Sequence, residues 1–264
     1  MGRRRRGGWA GRPKRRWRRA LVRLGALVAG LGVVAVAVLG VEFRIARGRH
    51  YIDAASAPPV KGVFGSGAPL RLVVAGDSIA AGLGASSSAT TVGGAVAAGL
   101  AERTGRQVVL ESVATSGARA GDMPGQAARA LALRPDLVLM LVGGNDTTHL
   151  TRLGTVRDQL GEAVLSLRAA GVEVVVGTCP DMGSRALGQP LRLVSAWRGR
   201  QVATAEDEAV AQAGGVPVPL GKLVGRAFRE DPATSSSDRF HPSDKGYALW
   251  AGALLPAVVA AASR

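Results

Sequence analysis

The chain of 264 residues holds one cysteine, Cys179, and three histidines. A lone cysteine excludes an intrachain disulfide and any cysteine-based zinc cluster. His50, His149 and His241 stand in no paired spacing of the kind that metal ligands adopt, so neither a metal nor a cofactor is expected. No Gly-x-Ser-x-Gly occurs, which argues against the strand-turn-helix elbow of the α/β-hydrolases. The nearest approach to a dinucleotide fingerprint, Gly82-x-Gly84-x-x-Ser87, lacks the final Gly or Ala and lies beyond Gly76-Asp77-Ser78 rather than at the strand end. There is no internal repeat.

Acid is scarce in one region only. Residues 1–49 carry fourteen Lys/Arg against one acid, and the rest of the chain carries twenty against eighteen. The net charge of +15 therefore belongs to the N-terminal segment, and the remaining residues are together close to neutral. Charge is missing altogether over the eighteen residues Leu24 to Val41. About twenty apolar residues cross a bilayer core, and this run is long for the apolar part of a signal peptide. The basic flank before it predicts a cytoplasmic N-terminus and a domain outside the membrane. Ala55-Ser56-Ala57 has the small-x-small form of a cleavage site, but it lies far past the run and precedes Pro58. An uncleaved single-pass signal anchor in the cell membrane is expected, with secretion as the outcome if cleavage occurs. Arg-rich sequence with Trp9 and Trp17 could contact nucleic acid. Beside a membrane span, anionic lipid headgroups account for it, and no nucleic-acid partner is expected. The expected organisation is a basic tail over 1–23, a transmembrane anchor over 24–43, a Pro- and Gly-punctuated linker over 44–69, and a domain over 70–264.

Within that domain, strand-like and helix-like stretches alternate. Strands are expected at 71–76, 107–113, 136–143, 173–178 and 216–218. Helices are expected at 91–104, 122–133, 152–170, 190–213 and 243–262. The run Asp136–Gly143 is apolar on both faces, as a central parallel strand should be. The pattern predicts an α/β fold with a parallel sheet of about five strands and helices on both sides.

The chemistry-bearing residues sit where these strands end. Val73-Val74-Ala75 runs into Gly76-Asp77-Ser78, presenting a hydroxyl beyond a strand's carboxyl end, where ligands of open α/β sheets bind. Two readings stand here: a nucleophilic serine, or a turn in which Asp77 and Ser78 cap backbone groups. A serine nucleophile needs a base. His241 is a candidate because Asp238 precedes it by three residues, close enough on a tight turn to orient the imidazole as the acid of a Ser-His-Asp triad does. An acyl-transfer site also needs donors for an oxyanion. Asn145, after Val142-Gly143-Gly144, Gly117 in Ser116-Gly117-Ala118, and the Ser78 N–H are the candidates. Asp77 reads as structural, and Cys179 as a buried small apolar residue.

These four blocks, in this order, resemble the SGNH/GDSL hydrolase family, whose blocks are named for their Ser, Gly, Asn and His residues. The resemblance spans about Leu70 to Ala262. The second block departs from the family pattern: Ala114 and Thr115 occupy the region where an asparagine usually precedes the glycine. The resemblance implies a flavodoxin-like three-layer α/β/α sandwich and a serine esterase or lipase. It implies Ser78 as nucleophile, His241 as base, Asp238 as its orienter, and the Ser78 N–H, Gly117 N–H and Asn145 as oxyanion donors. The expected function is hydrolysis of short-acyl carboxylic esters through an acyl-enzyme, the substrate being a small-molecule, lipid or glycan ester. Acyl transfer to, or deacetylation of, envelope glycans or glycolipids is the enzymatic alternative, and an inactive anchored binding module the non-enzymatic one.

Overall fold

Strand β2 (Pro69–Gly76) organises the domain, because its two faces build two separate cores. Leu70, Leu72 and Val74 point to one side, where they meet helices α2 (Val92–Thr104) and α9 (Asp244–Ala262). Val73 and Ala75 point to the other, against α3 (Met123–Ala132) and α5 (Leu153–Ala169). This alternation with period two gives every β-branched residue of the strand an apolar layer to bury in. Strand β4 (Leu137–Leu141) is buried along its full length, and its neighbours are β2 and β5 (Glu173–Gly177). The result is the expected three-layer α/β/α sandwich.

The computed structural model describes residues 14–48 and 51–264. They fall into two units, one ending at Gly48 and one beginning at Arg49. The first unit is the 34-residue helix α1 (Lys14–Arg47). Its leucines and valines, Leu21, Leu24, Leu27, Leu31 and Val34 among them, are exposed. An 18-residue window within Trp17–Ala46 reaches a mean hydropathy of 2.6, which is long and apolar enough to cross a membrane. Helix α9 meets the same length and composition test, but it is packed in the core through Tyr247, Trp250, Leu254 and Val258.

In the second unit the sheet has six strands rather than about five, in the order β1-β3-β2-β4-β5-β6. The addition is β1 (Gly62–Phe64), antiparallel to the edge strand β3 (Gln107–Ser112). The sheet is therefore mixed, with the remaining pairings parallel, through to β6 (Val216–Val218). Three residues are too few to show an alternating pattern, so β1 leaves no mark in the sequence. Two short helices, α7 (Leu220–Leu223) and α8 (Gly225–Glu230), fill the stretch between β6 and α9. The long helix α6 (Leu191–Gln212) joins β5 to β6.

Strand order reverses between β2 and β4. The chain leaves β2 for β3 on one side and returns to β4 on the other. That is the topological switch point, where open α/β sheets form a crevice. Gly76-Asp77-Ser78 leaves β2 there, and Gly143-Gly144-Asn145 leaves β4 there.

Candidate active site

Gly76 ends β2 at φ 134°, a region that side chains rarely enter. A Cβ there would run into the Leu141 carbonyl oxygen of β4, so only glycine lets the two strands stay paired to their ends. The buried amide of Gln126 clamps this residue. Its Oε1 accepts the Gly76 N–H at 2.6 Å, and its Nε2 donates to the Gly76 carbonyl at 2.9 Å. The Asp77 N–H then bonds the Leu141 carbonyl at 3.0 Å, and Asp77 Oδ1 accepts the Ile79 N–H at 2.9 Å. Asp77 thereby closes a tight turn that lifts Ser78 off the strand end. The Tyr247 hydroxyl, donating to the Leu83 carbonyl at 2.7 Å, pins the far side of that turn to α9.

Ser78 is 8 % exposed, and its Oγ lies 3.0 Å from His241 Nε2. His241 Nδ1 lies 2.6 Å from Asp238 Oδ2. The loop that presents this pair is built by Asp238 itself. Its Oδ1 accepts the backbone N–H of Phe240 at 2.8 Å and of His241 at 2.9 Å, and the Ser236 hydroxyl at 2.9 Å. Arg239 takes the left-handed conformation at φ 59° to close the turn, and Ser243 caps α9 directly after it by accepting the Gly246 N–H. Burial alone would push the Asp238 carboxyl up, but the hydrogen bonds from His241 and Phe240 hold it well below the usual carboxylate range. An ionised carboxylate can only accept, so Nδ1 carries the imidazole hydrogen and the Nε2 lone pair faces the Ser78 hydroxyl.

Asn145 opens the short helix α4 (Gly144–Thr148). Its Nδ2 donates to the Ala118 carbonyl at 3.1 Å, which leaves one amide hydrogen for another acceptor. Gly143 holds φ 108°, with the Glu206 carboxyl and Cys179 packed where its Cβ would stand. Ser78 and Asn145 line one cleft, whose apolar wall includes Ile79, Leu220, Val224, Phe228, Phe240 and Trp250. Gly117 occupies the turn after β3 at φ 84°, one residue before the carbonyl that holds Asn145, but it is exposed and does not line the cleft. His149 is exposed at the end of α4 with its ring against the Asn145 carbonyl, and His50 lies outside the described residues. Among the described residues, no group of three or more His, Cys, Asp or Glu side chains could hold a metal ion.

Three buried acids support the site, of which Asp77 also lines the cleft. Burial raises Asp77 to about 6 and also raises Asp146. Glu206 is pushed well above its ordinary value by burial, and its Oε2 accepts the Cys179 N–H at 2.6 Å. Cys179 is likewise pushed up, first by burial and then by the charge of Glu206, which leaves it a buried thiol. Asp146 Oδ2 takes the Ala120 N–H at 2.9 Å and so joins α4 to the turn before α3. Of these supporting groups, Gln126, Glu206 and Tyr247 have no signature in the sequence. Asp146 had one, its place beside Asn145.

A three-layer α/β/α fold with a serine–histidine–aspartate chain at the switch point defines a class of hydrolase-like proteins. Within that class, residues 74–249 match the model of the GDSL-like lipase/acylhydrolase family, and the chain belongs to that family. It is 42 % identical over 193 residues to a GDSL-like esterase of Mycobacterium tuberculosis. The matched region covers 72 % of this chain and 62 % of that protein, so the chain spans less than two thirds of its relative. Among solved structures, TesA superposes with a TM-score of 0.60 at 20 % identity, over 72 % of this chain and 99 % of TesA. Axe2, an acetylxylan esterase from Geobacillus stearothermophilus, gives 0.56 at 21 % identity, over 74 % of this chain and 95 % of Axe2. A lipase/acylhydrolase from Enterococcus faecalis gives 0.54 at 16 % identity, over 72 % of this chain and 96 % of that one. At these identities the likeness shows a shared fold.

Proposed function

We propose that this chain is a serine esterase that cleaves carboxylic esters through an acyl-enzyme. The observation that carries the reading is the continuous hydrogen-bonded chain from Ser78 Oγ through the His241 ring to Asp238, at 3.0 and 2.6 Å. Ser78 Oγ attacks the ester carbonyl as His241 Nε2 takes its proton. Asp238 holds the tautomer and stabilises the imidazolium that forms. The Asn145 amide and the Ser78 N–H bear on the developing oxyanion, and the Gly117 N–H is the further donor that the family resemblance implies. His241 then protonates the leaving alcohol, and in the second half-reaction it activates the water that frees the acid.

The apolar wall of the cleft supports a hydrocarbon acyl arm on the substrate. Helix α1 supports a membrane anchor, with the hydrolase domain outside and the basic tail inside. Anchoring would keep the enzyme next to esters of the cell envelope.

The test is an ester panel of increasing acyl length plus a sugar acetate, since an acylated glycan is the other substrate class left open. It is run on the full chain and on Ser78→Ala. The substitution is expected to cut kcat/KM at least about a thousandfold with the fold retained. Turnover by pure, folded S78A protein at the native rate would overturn the assignment.

A further inference from the structure

The stretch between α1 and β1 is seated on the hydrolytic site. We propose that Tyr51 and Ile52 are positioning residues for the Asp238–His241 pair, forming a strap that lies outside the family-matched region. This rests on the reading of Ser78, His241 and Asp238 as the catalytic chain.

The Ile52 N–H donates to Asp238 Oδ2 at 3.3 Å, across a sequence separation of 186 residues. The same oxygen takes the His241 Nδ1 hydrogen at 2.6 Å. The other donors to Asp238 all come from its own loop and all go to Oδ1. Ile52 is thus the donor that fixes the working oxygen from outside the loop. It also comes from the backbone, which does not reorient as a side chain would. The Asp238 side chain is 2 % exposed, so a donor aimed at it acts in a site from which water is largely excluded.

The neighbouring side chain acts on the imidazole. The Tyr51 ring meets Phe240 edge-to-face at 5.3 Å and an angle of 71°. It meets the His241 ring at 6.5 Å and 86°. Phe240 in turn stands 5.2 Å from His241 at 83°. The three rings hold one another at near-right angles, an arrangement that disfavours rotation of the imidazole out of line with Ser78.

The strap is fastened at its far end too. Asp53 caps a turn at Ala54–Ser56 by accepting the Ala55 N–H. Val60 is buried in the core with Val74. The Lys61 carbonyl accepts the Ser88 hydroxyl at 2.7 Å, and β1, the next element in the chain, pairs with β3. These three attachments, at Val60, Lys61 and β1, hold Tyr51 and Ile52 near the triad loop rather than leaving them on a free tether. Hydrolytic activity is therefore a property of the domain together with the stretch that tethers it to α1.

Four substitutions in the full chain test this, with rates normalised to active sites titrated by a fluorophosphonate. Ile52→Pro removes the N–H and Ile52→Ala keeps it, while Tyr51→Ala removes the ring and Tyr51→Phe keeps it. I52P and Y51A are expected to lower kcat about tenfold with KM within about twofold, while I52A and Y51F stay near wild type. Should I52P fail to fold, Y51A against Y51F carries the test. Unchanged kcat in both I52P and Y51A, with S78A inactive, would overturn the strap and leave the triad standing. An active S78A protein would instead remove the reading on which the strap rests.

Discussion

Two aspartates, one beside Ser78 and one beside His241, are set to opposite tasks by what surrounds them. Asp238 accepts hydrogen bonds on both oxygens and stays ionised. Asp77 is buried and closes the turn before Ser78, and burial raises it to about 6 although the Ile79 N–H and the charge of His241 pull it down. Proton linkage sets the direction of the effect on stability. Between the ordinary carboxylate value of 3.8 and about 6, the folded chain holds a proton on Asp77 that the unfolded chain has released. Asp77 therefore stabilises the fold fully only below that window and less as pH rises through it. An asparagine can accept the same Ile79 N–H without titrating. The stability of Asp77→Asn relative to wild type should thus grow by roughly 2 kcal/mol between pH 4 and pH 7. Urea unfolding of the two proteins at both pH values measures it, and a gap independent of pH would show that Asp77 does not carry the titration. At this scale the sequence was informative. Ser78, Asp238 and His241 were picked out by type and spacing, and the structure brings them within hydrogen-bond distance of one another.

At the scale of elements, the site is held by contacts between helices and strand ends. Gln126 on α3 grips both polar groups of Gly76, fixing the direction in which Asp77 and Ser78 leave β2. Glu206 on α6 grips the Cys179 N–H and packs against Gly143, fixing the turn that carries Asn145. Gln126→Ala would leave the buried Gly76 N–H without a partner, while the Gly76 carbonyl keeps the Thr115 N–H; this should cost about 2 kcal/mol and lower kcat as well as stability. Chemical denaturation and steady-state kinetics on one preparation test both, and a loss of stability with kcat intact would restrict Gln126 to a structural part. Most of the elements were legible from periodicity. The strand expected at 71–76 is observed at Pro69–Gly76, and the helix expected at 243–262 at Asp244–Ala262. The strand expected over 136–143 stops at Leu141, because Gly143 turns the chain into α4. Gln126 was not legible: a glutamine on the buried face of a helix looks the same in sequence whether it faces a strand end or solvent.

For the whole molecule, the chain combines a long apolar helix with a hydrolase-family domain. If α1 is a membrane anchor, the full chain should remain in the membrane pellet through alkaline carbonate extraction and enter the supernatant only with detergent. Release by carbonate alone would argue for a peripheral or secreted protein. By itself, the sequence determined the alternation of strands and helices, the uneven charge, the apolar run, and the serine, asparagine, aspartate and histidine that resemble the family. All of these are local, since a period, a run or a short spacing is written along the chain. Only the tertiary structure decided that Gly76–Ser78, Gly143–Asn145 and Asp238–His241 meet at one switch point. It also decided that Gln126 and Glu206 hold the turns there, and that Ile52 reaches back to Asp238. Such contacts join residues tens of positions apart through one or two hydrogen bonds, and chain closure around two cores, not any local pattern, sets which groups come within reach.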